Sequence, residues 1–289
     1  MISVIVTSYN RVDYLEECLD SLSKQTFLDF EVLLVTNFQF YADNYGFKHI
    51  KYIVMEGKIG EFLAEGIRMS RGEVICFLDD DDIFTREKLY HVNRIFSNKR
   101  IAYLHNYSKF KKEDSLYSRL FLPPDFNMSS ISIKKAIALT YLDKLNLIET
   151  GPDTFFYSLA LCSGEVIKTT RKRLTIYRLH NKNTSMSKVD RRWLDLDFSA
   201  VDYLSSIITC KKAGYYLKKI KTGILLKLFI YFDVETFYDE KFIDSIILWV
   251  YIFYSTFSNS DFIGLKMLVS HLKRYLIKRT YIAIFGNKV

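Results

Sequence analysis

Two kinds of hydrophobic spacing alternate along the first part of the chain. Residues 2–11 form a β-branched apolar run that ends in polar residues, and apolar residues then recur at helical spacing at Leu15, Cys18, Leu19 and Leu22. Further strands are predicted at residues 30–35, 50–55 and 74–78, and a helix at residues 61–69. Strands that are apolar on both faces and alternate with helices predict an α/β fold with a mostly parallel sheet flanked by helices.

A run of four aspartates directly follows the predicted strand at residues 74–78. The run consists of Asp79, Asp80, Asp81 and Asp82. Carboxylates crowded at the end of a buried strand repel one another and lose hydration, so a bound cation or polar ligand is expected beside them. Ligands of open α/β sheets collect at this end of the strands, and oxygen ligands suit Mg²⁺ or Mn²⁺. A solvated acidic loop before a helix starting near Thr85 is the alternative.

Several blocks of the sequence, taken in order, resemble family 2 glycosyltransferases of the GT-A fold. The first blocks are SVIVTSYNR at residues 3–11, CLDSL with QT at residues 18–26, FEVLLV at residues 30–35, and GEVI with FLDDDD at residues 72–82. Two later blocks are GPD at residues 151–153 and YRLH at residues 177–180, followed by SMS at residues 185–187. The resemblance covers about residues 1–190 and implies a GT-A (nucleotide-diphospho-sugar transferase) domain there. For residues 191–289, beyond the resemblance, the apolar pattern predicts a helical C-terminal region.

The resemblance implies a metal-dependent, inverting glycosyltransferase that moves a sugar from a nucleotide-diphosphate donor to an acceptor hydroxyl. The acceptor is expected to be a glycan or a lipid-linked or cell-surface glycan precursor. Asp79 and Asp80 would bind the donor, Asp81 would ligate Mn²⁺ or Mg²⁺, and Asp82 would orient its neighbours. His180 would reach the metal or the diphosphate, although a lone histidine in a surface loop is the alternative.

Asp153 is the candidate general base, which would take the proton of the acceptor hydroxyl as that oxygen attacks the anomeric carbon. An N-cap of the helix that follows is the alternative role of Asp153, and the two roles are compatible. Pro152 stands where the family has the Glu of a Glu-Asp pair. Arg178 would neutralise phosphates or support its loop through the guanidinium group.

Residues around the ends of the first strands would frame the donor nucleotide. Thr7, Tyr9 and Arg11 follow from the first block, with Tyr9 near the base, and packing at the strand end is the alternative for Tyr9. Thr36 and Asn37 replace the Asp-Asp pair of the family, whose first carboxylate accepts a hydrogen bond from the base. The amide of Asn37 can donate as well as accept, so Asn37 could read a base with a different edge pattern or simply end the strand. Gly60 is expected in a loop that approaches the ribose, where glycine permits close backbone contact.

The C-terminal region changes character and leaves two interpretations open. Residues 262–289 contain no Asp or Glu and six Lys or Arg residues among helically spaced apolar ones. This pattern is typical of an amphipathic helix on an anionic membrane surface, and equally of a helix packed on the core or in a homodimer interface. The aromatic-rich residues 246–254 are too few to span a bilayer.

The cysteines, the first residues of the chain and the net charge indicate which compartment and which partners to expect. The four cysteines are far apart in the chain, so reduced core thiols are expected. Without a recognisable signal peptide, the protein is predicted to be cytoplasmic, peripheral on the inner face of the membrane if the C-terminal helix binds lipid. The net charge is +8, but no nucleic-acid-binding motif accompanies it, and no nucleic-acid partner is expected.

Two other functions stay open on the sequence. A sugar-phosphate nucleotidyltransferase has a related sheet and acidic site, but it needs a glycine-rich loop for the triphosphate, and residues 7–11 lack glycine. A non-catalytic sugar-binding or membrane-binding protein would keep the fold; the replacement of the usual Asp-Asp by Thr36 and Asn37 is compatible with it.

Overall fold

A computed structural model describes residues 1–109, 127–178 and 191–232. Its strands are β1 Ile2–Ser8, β2 Phe30–Thr36, β3 Ile50–Val54, β4 Val74–Asp79, β5 Ile83–Phe84, β6 Ile101–Lys109, β7 Ile131–Lys134 and β8 Val166–Ile176. Its α-helices are α1 Leu15–Ser23, α2 Ile59–Met69, α3 Lys88–Phe96, α4 Lys135–Ala138, α5 Leu142–Leu145, α6 Pro152–Cys162, α7 Arg191–Ile207 and α8 Lys211–Phe232. The eight described strands form one sheet in the order β3-β2-β1-β4-β7-β6-β8-β5.

The half of the sheet that precedes residue 80 is parallel, and its inner strands are buried on both faces. Strands β3, β2, β1 and β4 are neighbours in parallel register, with β1 between β2 and β4. Every residue of β1 and β2 is buried. This matches the apolar runs of the sequence, and the predicted bounds differ from the observed ones by a residue or two.

The other half of the sheet mixes strand directions, but β6 and β8 end at the same edge as β4. Strand β7 runs antiparallel to both β4 and β6, and β8 runs parallel to β6. Two reversals leave β6 and β8 parallel to β4. The carboxyl ends of β1, β4, β6 and β8 therefore share one edge of the sheet.

Helices cover both faces, as predicted. One core packs α1 and α3 on the sheet, with Leu19, Leu89 and Val92 among its fully buried residues. The opposite core contains α2, α6 and the two C-terminal helices α7 and α8. Phe156 of α6 stacks on Phe77 of β4 at a ring distance of 4.6 Å. Because Phe77 lies two residues before Asp79 in the chain, this contact holds α6 beside the strand that leads into the aspartate run.

The C-terminal region is helical through residue 232, and its described helices pack on the sheet domain. Leu204 of α7 and Leu217, Ile224 and Leu228 of α8 are buried in the core that also holds α6. Among the described helices, none is both long enough and apolar enough to cross a membrane. Residues 246–254 and 262–289 lie outside the described residues, so the interpretations placed on them stay predictions.

The expectation of four reduced cysteines is wrong for one pair. Cys162 at the end of α6 and Cys210 just before α8 form a disulfide, with their Cα atoms 5.7 Å apart. Cys18 and Cys76 are free and buried, as expected. The two bonded cysteines lie 48 residues apart in the chain and meet only because α8 packs beside α6, which spacing alone does not reveal.

Candidate functional site

The carboxyl ends of β1 and β4 bring the predicted donor-site residues together. Thr7 on β1 is the register neighbour of Asp79 on β4, and Ser8 is the register neighbour of Thr36 on β2. The chain then turns from Asp79 to Asp82, whose backbone N–H donates to the Asp79 carbonyl at 3.0 Å. This turn folds the four aspartates into a cluster at the sheet edge.

Three of the four carboxylates converge. Asp79, Asp81 and Asp82 each present an oxygen within 4.8 Å of the others, and Asp81 and Asp82 are buried. Burial, together with the charges of the three following aspartates, raises the pKa of Asp79 well above its usual range. Sequence reasoning gave Asp82 only an orienting role, whereas the structure puts it among the converging oxygens.

Asp80 is not one of these converging carboxylates, and it is held by Ser8 at the end of β1 and by Arg11. Its two carboxylate oxygens accept hydrogen bonds from the Ser8 hydroxyl, at 2.6 Å, and from the Arg11 guanidinium. Arg11 also pairs with Asp81 at 2.9 Å. Burial acts to lower the pKa of Arg11, but the bond to Asp80 and the surrounding carboxylates outweigh it and raise the pKa. Arg11 is therefore a fixed cation that offsets part of the charge of the run.

Asp82 has one oxygen without a protein partner. Its side chain is fully buried, and its Oδ1 accepts the backbone N–H of Arg178 at 3.1 Å. No residue in the described part of the chain donates a hydrogen bond to Oδ2. Burial raises the pKa of Asp82 to about 7, and Asp81 adds to that rise, while hydrogen bonds from Ser129 and Arg178 oppose it. A buried carboxylate oxygen without a partner, beside two further carboxylates, fits a hard divalent cation.

Sequence reasoning missed a buried lysine beneath the aspartate run. Lys88, the first residue of α3, is fully buried, and its ammonium donates to Asn106 Oδ1 and, at 3.2 Å, to the Ser129 carbonyl. Burial lowers the pKa of Lys88 to about 8, and the charges of Cys76 and Asp82 only partly oppose that shift.

The partners of Lys88 form a polar network that reaches the aspartates. Ser129 Oγ accepts the backbone N–H of Asp79 at 3.0 Å. Asn106 donates to Thr175 Oγ1 at 3.1 Å, and Thr175 donates to the Ser129 carbonyl at 3.0 Å. Strands β4, β6 and β8 are therefore connected under the site, and Lys88 supplies the positive charge of that network.

Arg178 directs its side chain away from the aspartates. Its guanidinium pairs with Glu17 at 2.7 Å and lies over the Tyr14 ring, 4.7 Å from the centroid. Of the two roles considered for Arg178, this placement favours support of the chain segment that leaves β8. The backbone N–H of Arg178 contacts the acidic cluster at Asp82, while its guanidinium is bound by Glu17.

Asp153 lies in the first turn of α6 rather than at its N-cap. Gly151 is the N-cap, with a left-handed φ of 65°, and Pro152 is the first helical residue. Asp153 Oδ1 accepts the backbone N–H of Thr154 at 2.7 Å, and its side chain is half-buried. The stacking of Phe156 on Phe77, one helical turn later, fixes this helix end relative to β4.

Asn37 is paired with the loop after β1. Its Oδ1 accepts the backbone N–H of Asn10 at 2.8 Å, and its amide donates to Asn10 Oδ1 at 2.7 Å. Asn10 has a positive φ of 51°, a conformation that asparagine tolerates better than most residues. Tyr9 next to it is 54% exposed, with its ring 6.0 Å from Phe62. An exposed aromatic and an amide pair thus flank the strand ends.

Gly60 lies in the first turn of α2, not in the expected loop. A Cβ built on Gly60 would lie 1.9 Å from the Leu145 carbonyl oxygen and 2.8 Å from that of Ile148. The close approach that the sequence suggested is therefore an approach to this chain's own backbone. His180, the remaining predicted site residue, falls outside the described residues.

Known proteins similar to this chain are glycosyltransferases. An uncharacterized glycosyltransferase of Haemophilus influenzae is 33% identical over 118 residues, 38% of this chain and 39% of that protein. Glycosyltransferase GlyG of Streptococcus pneumoniae is 28% identical over 149 residues, 47% of this chain and 48% of that protein. The chain thus aligns with less than half the length of these relatives.

Two solved structures share the fold. S. aureus TarS 1–349 in complex with UDP-GlcNAc matches with a TM-score of 0.59 and 19% identity, covering 86% of this chain and 80% of that one. Mannosyltransferase PcManGT from Pyrobaculum calidifontis, in complex with GDP-Man and Mn²⁺, matches with a TM-score of 0.57 and 14% identity, covering 99% and 88%. These likenesses confirm the predicted GT-A fold. The family model for glycosyl transferase family 2 matches residues 3–161, more than half of the sequence, and the chain belongs to that family.

Proposed function

We propose that this protein transfers a sugar from a nucleoside-diphosphate donor to an acceptor hydroxyl, with inversion at the anomeric carbon and a divalent metal ion at the site. The convergence of Asp79, Asp81 and Asp82 at the carboxyl edge of the sheet carries the proposal. Family membership supports the reaction class, and the neighbours solved with UDP-GlcNAc and with GDP-Man and Mn²⁺ support the kind of donor.

The three converging carboxylates are the proposed ligands, with His180 as a further candidate from the sequence. Oxygen donors on a buried turn suit Mn²⁺ or Mg²⁺. The bound ion would offset the charge that develops on the diphosphate as it leaves. Arg11 leaves the cluster short of full neutralisation, because its one positive charge faces two carboxylates, those of Asp80 and Asp81. A cation at the site would supply the rest.

The donor nucleotide would lie against the ends of β1 and β2. Thr7 and Tyr9 frame that surface, and Asn37 faces it beside Asn10. Arg11 holds Asp80 in place, so Asp80 would act on the donor through the position of the turn. Gly60 would act indirectly, by letting α2 approach the Leu145 carbonyl.

Asp153 is the proposed general base. A half-buried carboxylate at a helix start is held in position by its backbone hydrogen bond and stays accessible to an acceptor hydroxyl. A single base that deprotonates the acceptor opposite the departing diphosphate implies direct displacement, hence inversion. The acceptor is proposed to be a glycan or a lipid-linked glycan precursor.

Thermal stabilisation by donors tests this function. UDP-, GDP- and dTDP-sugars would be screened with Mn²⁺ and with EDTA. A ligand at 100 times its Kd raises the free energy of unfolding by about 2.7 kcal/mol, so one donor should give a clear metal-dependent rise in Tm. Asp81→Asn should abolish that rise, whereas Asp20→Asn, an exposed aspartate paired with Lys24, should not. Equal stabilisation of the wild type in EDTA would refute metal dependence, and no stabilisation or hydrolysis of any donor would refute the function.

A further inference from the structure

A strip of basic side chains runs along strand β8 toward the site. The strip comprises Lys168, Arg171, Lys172 and Arg173, all of which are exposed. No Asp or Glu occurs between residues 166 and 178. None of the four makes an ion pair with a residue that the structure describes, and Glu165, just before the strand, is already paired with Lys134.

Two extra residues in β8 form a bulge at the centre of this strip. Thr170 pairs with Asn106 of β6, but the next pair is Arg173 with Tyr107, so Arg171 and Lys172 have no residue opposite them. Such bulges redirect side chains and are common beside functional sites. Lys172 also lies 3.2 Å from His91 Nε2 on α3, and Glu87 Oε2 lies 3.4 Å from that same nitrogen.

No described strand lies along the outer edge of β8 beside the strip. Strand β5 covers β8 only at Thr175 and Ile176, and the Thr85 N–H bonds the Leu174 carbonyl. Charged residues on a free edge also prevent strands of other chains from pairing there, which is the purely structural explanation of the strip. Two lysines would serve that purpose; two arginines in addition supply guanidinium forks that bind phosphate or carboxylate groups bidentately.

The direction of the strand connects the strip to the acidic cluster. β8 ends at Ile176, and two residues later the Arg178 N–H bonds Asp82 Oδ1. At about 3.3 Å per residue, the five residues from Arg173 to Arg178 span roughly 15 Å. That separation exceeds the Debye length of about 8 Å at physiological salt, so the strip attracts anions independently of the aspartates.

We infer that the strip binds an anionic polymeric acceptor, whose phosphate or carboxylate groups lie along β8 while a hydroxyl of the same chain reaches the site. The inference rests on the proposed transfer reaction. An extended polymer suits a linear strip that leads to the site. A membrane surface suits it less, because residues 168–173 include no apolar side chain to insert into lipid.

Binding of full-length protein to polyanions tests the inference. The probes are fluorescently labelled inorganic polyphosphate for phosphate chains and labelled polygalacturonate for carboxylate chains. If all four charges are neutralised, affinity should fall about 50-fold between 50 and 200 mM salt, by analogy with single-stranded polyanions. Free phosphate at the same phosphate concentration should not compete.

A triple variant with Arg171→Gln, Lys172→Gln and Arg173→Gln removes three of the four positive charges of the strip. We expect binding to weaken about tenfold or more at low salt. The matched control is Lys211→Gln, Lys212→Gln and Lys219→Gln, which removes three exposed lysines from α8. If the triple variant aggregates because the edge is unprotected, Arg171→Gln alone, which has no ladder partner, and the salt dependence of the wild type decide the matter.

Several outcomes would overturn the inference. These are no binding of either polymer, equal loss in the control variant, or strip-dependent binding to phosphatidylglycerol vesicles without polymer binding. Donor hydrolysis without acceptor is measured in parallel and should be unchanged in the strip variant. If the wild type hydrolyses no donor but binds polyanions through the strip, the proposed function fails and the strip is a polyanion site of another kind.

Discussion

At the scale of single residues, the proposed chemistry depends most on Asp153. Asp153→Asn keeps the size of the side chain and an oxygen for the Thr154 N–H, but the amide cannot take a proton. Transfer should therefore fall by about 10² to 10⁴, the usual cost of losing a general base, with donor affinity unchanged. Single-turnover transfer and donor titration measure the two effects separately.

Glu149 provides the comparison for that variant. It is an exposed carboxylate four residues earlier that pairs with Lys58 at 2.6 Å. Glu149→Gln should leave transfer nearly normal. If Asp153→Asn turns over normally and Glu149→Gln does not, the base is Glu149 and Asp153 serves only the start of the helix.

A second prediction concerns the effect of Lys88 on the pH dependence of stability. Its pKa falls from 10.5 to about 8 on folding, so the unfolded chain binds more protons than the native one between those values. The free energy of unfolding should therefore decrease as pH falls from 10.5 to 8. The decrease is at most about 3 kcal/mol, since one pKa unit corresponds to about 1.4 kcal/mol. Lys88→Met should remove this part of the pH dependence.

Urea unfolding at several pH values between 7 and 11 measures the effect. The quantity of interest is the difference in unfolding free energy between wild type and Lys88→Met, because other titrating groups cancel in it. A difference that stays constant with pH would show that Lys88 keeps its ordinary pKa and that the buried network carries no unusual charge cost.

At the scale of elements, the contact of α2 with the turn after α5 requires glycine at position 60, because a Cβ atom does not fit there. Gly60→Ala would put a Cβ within 1.9 Å of the Leu145 carbonyl oxygen, so α2 or the turn must move. Overpacking of this kind costs about 1 to 3 kcal/mol, and the fold should be destabilised by at least that much. Thermal or urea unfolding measures the change.

Gly214 is the matched control, since it also lies in a helix, α8, but no described atom outside its own helix backbone comes within 4 Å of its Cβ position. Gly214→Ala should be neutral or stabilise the protein by up to about 1 kcal/mol, as expected for alanine in a helix. Equal effects of the two substitutions would mean that α2 does not pack as closely as the structure has it.

The elements also show what the sequence predicts and what it does not. Strands β1, β2 and β4 were predicted because they are apolar on both faces. The helix expected near Thr85 begins instead at Lys88, since residues 83 and 84 form β5 against β8. Lys88 itself was missed, because a lysine at the start of an amphipathic helix ordinarily lies at the surface. Its burial depends on Asn106 and Ser129, which come from elements distant in the chain.

The position of the acidic cluster at the end of β4 was predicted correctly, but the arrangement of its four carboxylates was not. The sequence assigned Asp79 and Asp80 to the donor, Asp81 to the metal and Asp82 to an orienting role. In the structure, Asp80 is held by Ser8 and Arg11, and the other three converge. The direction of each side chain follows from backbone geometry after the strand, which residue types alone do not specify. The Cys162–Cys210 disulfide was missed for the same kind of reason, a helix packing that residue spacing does not encode.

At the scale of the whole molecule, the helical C-terminal region begins as part of the core. Leu217, Ile224 and Leu228 of α8 are buried against the sheet domain, so that stretch of apolar residues is explained by internal packing. Residues 262–289, which combine six basic residues with apolar ones and no acidic residue, lie outside the described residues. For them the membrane interpretation stays a prediction.

The prediction is that residues 262–289 attach the protein reversibly to anionic membranes. A basic side chain near an anionic surface contributes about 1 kcal/mol, so removing four of six should nearly abolish attachment. The variant is Lys273→Gln, Arg274→Gln, Lys278→Gln and Arg279→Gln in the full-length chain, and co-sedimentation with phosphatidylglycerol vesicles is the measurement. Added salt should weaken wild-type binding, because surface charges are screened within about 10 Å at 0.1 M salt. The Lys211, Lys212 and Lys219 variant is again the control. If the wild type leaves such vesicles unbound, the segment packs against protein, and an acceptor in solution fits the site better than one held in a membrane.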